Sequence, residues 1–139
     1  MISILRRRRM KLTVSTHQRT EFIEITHETQ KAIDASGISD GICMLYVPHT
    51  TAGITINENA DPTVKSDILS VLNAIVPWEA GYRHAEGNSP AHIKASLMGA
   101  SQLVAVQNGR LALGTWQGIF FCEFDGPRTR HIHLHIIAS

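Results

Sequence analysis

Long apolar runs are missing from this chain of 139 residues. No segment approaches the roughly 20 apolar residues that a bilayer-spanning helix requires, so none is expected to cross a membrane. Cysteine is scarce as well. Cys43 and Cys122 stand far apart, each inside an apolar run, which argues against a zinc pair and reads as two reduced core residues of a cytoplasmic protein. Aromatic residues make up 6% and the formal net charge is +1. That leaves little overall attraction for polyanions and few stacking platforms, so a nucleic-acid-binding module is disfavoured. There is no internal repeat and no low-complexity tract.

Charge is nevertheless uneven. Arg6, Arg7, Arg8 and Arg9 form a run of four near the N-terminus. No apolar segment of the signal-peptide kind follows it. Residues 1–9 are therefore expected to be a disordered, solvated basic tail, with Met10 as a candidate start and 10–139 as one domain. The competing reading is a basic arm for nucleic acid.

What is present describes an ordinary globular core, with 43% hydrophobic and 18% charged residues. Residues 11–15 and 22–25 alternate as strands, and Thr26 can cap a helix that ends at Gly37. Residues 41–47 and 52–56 are further apolar strands. Asp61-Pro62 opens the clearest helix, whose wide apolar face includes Leu69, Val71, Leu72 and Ile75 and which Pro77 stops. Residues 102–106, the Asn108-Gly109 turn and 111–113 predict a hairpin. Residues 119–124 and 132–137 are the last strands. The fold class is α+β, a curved and mostly antiparallel sheet covered by helices.

The densest chemistry lies at 84–99, HAEGNSPAHIKASLMG. Ser89 suits an N-cap, Pro90 the first helical position and Gly99 the close. On that helix His92, Ser96 and Gly99 form one open polar stripe, with Ile93 and Leu97 as the buried neighbour stripe. Lys94 should point away from His92. A loop that brings His84 and Glu86 to the helix start can hold a metal or an anion, although this histidine spacing is not a standard zinc one.

Four other segments carry candidate groups. His49-Thr50-Thr51 joins two strands, where hydroxyls and N–H groups suit a phosphate and His49 a metal or a proton; the alternative is a turn with incidental polar residues. In Asn57-Glu58-Asn59-Ala60-Asp61, Asp61 reads as a helix cap, while Asn57 and Glu58 stand open between ligand group and polar loop. Within Gly114-Thr115-Trp116-Gln117-Gly118, Trp116 and Gln117 can stack on and bond a heterocycle, or Trp116 can fill a subunit interface. His131, His133 and His135 alternate with Ile132, Leu134 and Ile136, so they share one face. A polar outer face is the preferred reading of that ladder.

In order, Pro48 through Asn59, Asp61-Pro62, Ser89-Pro90-Ala91-His92-Ile93-Lys94-Ala95-Ser96, Gly109-Arg110 and Gly114-Thr115-Trp116-Gln117-Gly118-Ile119 resemble the YjbQ-like family, also called secondary thiamine-phosphate synthases. The resemblance covers roughly residue 11 to the C-terminus. It implies an α+β pseudo-barrel that assembles as a homotrimer. It also implies a weak ability to join hydroxymethylpyrimidine diphosphate to thiazole phosphate, giving thiamine phosphate and diphosphate. The basic run and the histidine ladder lie outside the matched motifs.

The residues and the resemblance together give a site expectation. His49, Glu58 and His92 are assigned to catalysis; Thr50, Thr51, Asn57, Ser96, Arg110, Trp116 and Gln117 to substrate; and His49, His84 and His92 to a divalent metal. Zinc or nickel suits the histidines, whereas magnesium would use Glu58 and Asp61. Diphosphate oxygens need N–H or cationic donors, for which Arg110 and Arg128 are further candidates. The expected activity is that of a metal-dependent enzyme on a small phosphorylated metabolite. The alternative is a non-catalytic trimer that binds a metal or a metabolite.

Overall fold

The computed structural model describes residues 6–139. Among them the chain order is β1 (Arg7–Ser15), β2 (Glu21–Glu24), α1 (Thr26–Ser36), β3 (Gly41–Tyr46), β4 (Ala52–Glu58), α2 (Pro62–Ile75), α3 (Ser89–Met98), β5 (Ser101–Gln107), β6 (Arg110–Leu111), β7 (Gln117–Glu123) and β8 (Thr129–Ala138). A larger sheet has the order β1-β8-β3-β5-β6 and a smaller one β2-β7-β4. Every pairing is antiparallel. The result is a curled α+β half-barrel, the expected class.

Strand alternation builds the layers. Ile132, Leu134 and Ile136 of β8 point inward with Cys43 and Leu45 of β3, against Ile54, Ile119 and Phe121 of the smaller sheet and Ile33 of α1. The other side of the smaller sheet presents Phe22, Phe120, Cys122 and Phe124, which α2 and α3 cover through Leu72, Ala91 and Ala95. Strand β7 is thus buried on both faces, which is why its pattern is a continuous apolar run. Each fully buried Ile, Leu or Phe here contributes about 1.5–3 kcal/mol relative to exposure. Cys43 and Cys122 are free, buried thiols; burial pushes the Cys43 pKa up to about 12 and raises that of Cys122 as well.

Several local expectations are corrected. Arg7, Arg8 and Arg9 do not form a tail. They pair with Ile137, Ile136 and His135 as the start of β1, because an edge strand needs backbone partners rather than alternating apolar residues, and charge suits its exposed rim. Residues 1–5 of the expected tail lie outside the described residues. Thr26 lies inside α1 rather than capping it, its hydroxyl donating to Glu24 Oε2 and accepting from Ile119 N–H. Asn88, not Ser89, holds the N-cap position of α3. Ile93 and Leu97 are exposed while Lys94 is buried, because the turn of α3 that meets β4 is the one carrying Ala91 and Ala95. Val71 and Ile75 of α2 are exposed too, leaving much of its apolar face uncovered. Asp61 caps α2 as expected, accepting from Thr63 N–H at 2.9 Å.

Candidate functional site

Strands β3 and β4 meet at the Pro48-His49-Thr50-Thr51 connection, and α3 packs beside it. Glycine permits that approach. A Cβ on Gly53 would sit 2.8 Å from the Gly99 carbonyl oxygen and 3.0 Å from Met98 Cβ. Backbone bonds fasten the contact, from Ile54 N–H to Gly99 O at 3.1 Å and from Val47 N–H to Ala100 O at 2.7 Å. Between turn and helix runs an open groove of about 500 Å³ lined by His49, Thr50, Ala52, His92, Ser96 and Gly99. The His92–Ser96–Gly99 stripe thus faces the His49 turn, as the helical spacing predicts.

His49 is held from behind. The His131 backbone N–H donates to its Nε2 at 3.0 Å, and the two imidazole rings stack with centroids 6.4 Å apart. Burial, then the Arg130 guanidinium, then His131, lower the His49 pKa. A neutral imidazole whose Nε2 accepts a bond carries its proton on Nδ1. His49 is therefore a donor, suited to an oxyanion. Its accepting nitrogen is already used, so it is neither a free metal ligand nor a free base in this arrangement.

Beneath the turn lies a buried ion pair. Arg130 Nε donates to Glu123 Oε1 at 2.9 Å, and Nη2 donates to Thr51 Oγ1 at 2.8 Å. Glu123 also accepts from the Thr16 hydroxyl and from the N–H groups of Phe124 and Asp125. Burial alone would raise its pKa, but the Arg130, Asp125 and Thr16 hydrogen bonds outweigh it and hold the carboxyl below its ordinary value. Thr51 is thereby a buried anchor of the turn rather than a groove residue.

His84 reaches His92, their rings perpendicular with centroids 5.3 Å apart. Glu86 bonds the Asn88 amide instead, and Asn88 also donates to Asp125 at 2.9 Å. Ser96 donates back to the His92 carbonyl at 3.0 Å. Among the described residues no three of His, Cys, Asp and Glu converge closely enough to hold a metal ion. The expected His49, His84 and His92 set is thus not a coordination shell within one chain. Within that set His84 and His92 have adjacent rings.

The remaining expected residues lie elsewhere. Glu58 and Asn57 are at the far end of β4, about 20 Å along the strand from Ala52. There Glu58 pairs with Gln117, Asn59 N–H donates to Trp116 O, and Gln117 Oε1 accepts from Gly114 N–H. A small cavity of about 80 Å³ at that end is lined by Glu24, Glu58, Asn59, Asp61 and Lys65 among others. The Asp61 carboxyl there is committed to capping. Trp116 is exposed. Arg110 is on the edge strand of the larger sheet, opposite Gln107, and Arg128 bonds Asp125. Glu58, Asn57, Arg110, Trp116 and Gln117 therefore do not join His49 and His92.

Two residues that support the His49 turn escaped the sequence reading. Arg130 has the parity of Ile132 and Leu134, and Glu123 that of Ile119 and Phe121. A charge at an inward position of an apolar strand is the signal that marks a buried pair. His131, set aside as part of a polar ladder, turns out to orient His49.

Comparison with known proteins follows the same lines. A family model described as UPF0047 protein YjbQ-like matches residues 10–139. The UPF0047 protein YugU of Bacillus subtilis is 55% identical over 91% of this chain and 97% of its own. A UPF0047 protein of Methanocaldococcus jannaschii is 54% identical over 93% and 94%. Among solved structures, an uncharacterized YjbQ/UPF0047 family protein of Clostridium acetobutylicum superposes with a TM-score of 0.89 at 55% identity, covering 91% of this chain and 98% of that one. A YbjQ-like protein of Sulfolobus solfataricus gives 0.93 at 34% identity, covering 98% and 100%.

Proposed function

The chain belongs to the YjbQ-like UPF0047 family, and on that premise we propose that the His49–His92 groove binds and turns over a small phosphorylated metabolite. The observation that carries this reading is the Nδ1–H of a neutral His49 opposite His92, across an open groove. In it, His49 and the Thr50 hydroxyl donate to phosphate oxygens, Ser96 adds a hydroxyl, and His92 moves the proton. A diphosphate-leaving transfer of the thiamine-phosphate-synthase kind is the candidate reaction. A divalent metal at His84 and His92, completed by groups from outside the chain, is the alternative use of that pair: His92 would then be a ligand rather than the proton carrier, and zinc or nickel would suit two imidazoles.

The test is diphosphate release from hydroxymethylpyrimidine diphosphate and thiazole phosphate, for the parent and for His92→Ala. Loss of turnover with the oligomer intact is expected; unchanged turnover sinks the proposal. Metal analysis of the His84→Ala, His92→Ala double variant checks the metal. One observation favours a non-catalytic binding protein instead: the groove lining contains no carboxylate. That reading gives saturable binding with no product above background.

The same proposal has the chain working as a homotrimer. Two separate apolar surfaces are uncovered in one chain: Ile42, Tyr46 and Leu103 on the outer face of the larger sheet, and Val71 and Ile75 on α2. Unlike patches that meet head to tail close a ring. No described helix is long and apolar enough to cross a membrane.

A further inference from the structure

The side of α3 turned away from the groove carries a second constellation. Lys94 is 2% exposed, the one buried lysine among the described residues. Its ammonium donates to the Asn73 side-chain oxygen at 2.6 Å. It forms no ion pair among the described residues, and neither does Arg19. Arg19 lies over the Trp78 ring, its guanidinium carbon 4.2 Å from the centroid. Burial first, and the charge of Arg19 second, push the Lys94 pKa below its ordinary value.

Arg19, Thr20, Asn73, Trp78 and Lys94 line a single cavity of about 310 Å³. Two cations and a hydroxyl face it, and no carboxylate does. Tying α3 to α2 through Asn73 does not require a charge, since a neutral donor would serve. Burying an ammonium without a counter-ion is unfavourable, and an anion in the cavity removes that penalty. Stacking on Trp78 also leaves the guanidinium edge free for a planar or tetrahedral oxyanion.

We propose that Lys94, Arg19 and Thr20 form an anion pocket, walled by Trp78, that takes the phosphate or carboxylate group of a small metabolite. The pocket shares no lining residue with the His49–His92 groove, so it stands or falls independently of the function proposed there.

Calorimetric titration of the full chain with inorganic phosphate, and separately with acetate at matched ionic strength, tests it. The parent is expected to bind one of them saturably, and preference between them assigns phosphate or carboxylate as the ligand group. Lys94→Met keeps the side-chain length and removes the unpaired charge. Arg19→Met changes an exposed position and serves where the first variant does not fold. Each is expected to weaken binding about ten-fold or more, the scale of one lost charge-assisted hydrogen bond, when measured in a His49→Gln, His92→Ala background in which the His49–His92 groove does not contribute. No saturable binding of either anion in that background, or binding there that is unchanged in both methionine variants, would overturn the proposal.

Discussion

The His131 backbone N–H donates to Nε2 of His49 across a separation of 82 residues. One hydrogen bond from a strand therefore selects the tautomer of a side chain in a distant turn. It makes His49 a donor towards the groove, and it ties the protonation of that turn to the position of β8.

Protonating His49 breaks this bond, so stability should depend on pH in a defined direction. The folded pKa lies below the ordinary value of 6.5. The contribution of neutral His49 is complete above that value and is lost as pH falls through the lower folded pKa. Urea denaturation at steps between about pH 7 and pH 5 should show declining stability. In His49→Gln the decline should be shallower; an identical decline would remove His49 as its source.

The Arg130–Glu123 pair is almost wholly buried, so removing one partner strands the other. Arg130→Met is expected to cost about 3–5 kcal/mol in chemical denaturation, and the Arg130→Met, Glu123→Met double variant to recover most of it. For Glu123, whose folded pKa is depressed, the stabilisation is present above its ordinary value of 4.5 and lost as pH falls through the folded one. Additive single-variant losses would show that the two side chains are not coupled.

Gly53 lets α3 seat on β4. Gly53→Ala places a methyl group against the Gly99 carbonyl and is expected to destabilise the fold by about 1–3 kcal/mol. Ligand affinity at the His49–His92 groove should fall with it, because Gly99 lines that groove. A neutral effect in thermal melts and binding alike would mean that the helix shifts freely.

Leu103 is 68% exposed and Ile75 63% in the single chain. If these surfaces join copies, Leu103→Glu and Ile75→Glu should each lower the mass measured by light scattering to that of one chain. Neither should unfold it, since neither side chain is part of the buried core. A parent protein that is monomeric at micromolar concentration would refute the trimer outright.

The order of elements was legible in the sequence because it depends on local periods. Ile132, Leu134 and Ile136 announce a strand whose inner face is apolar, and the Asn108-Gly109 pair announces its hairpin, both residues adopting positive φ. The His92–Ser96–Gly99 stripe was equally readable, since helical spacing decides which side chains share a face. Asp61 as a cap belongs to the same class of local signal.

What lies next to that stripe was decided by tertiary structure. Asn57 and Glu58 follow His49 closely in the chain, yet an extended strand carries them to the opposite end of the sheet. His131 and Arg130 are remote in sequence, yet antiparallel pairing brings β8 beside the turn. Ile93 looks like a core residue and Lys94 like a surface one, and the packing of α3 on β4 reverses both. Sequence periodicity determines faces, because it follows from backbone geometry alone. Which faces meet depends on strand pairing and helix seating between distant segments, and here those placed the groove, the buried ion pair and the Lys94 cavity.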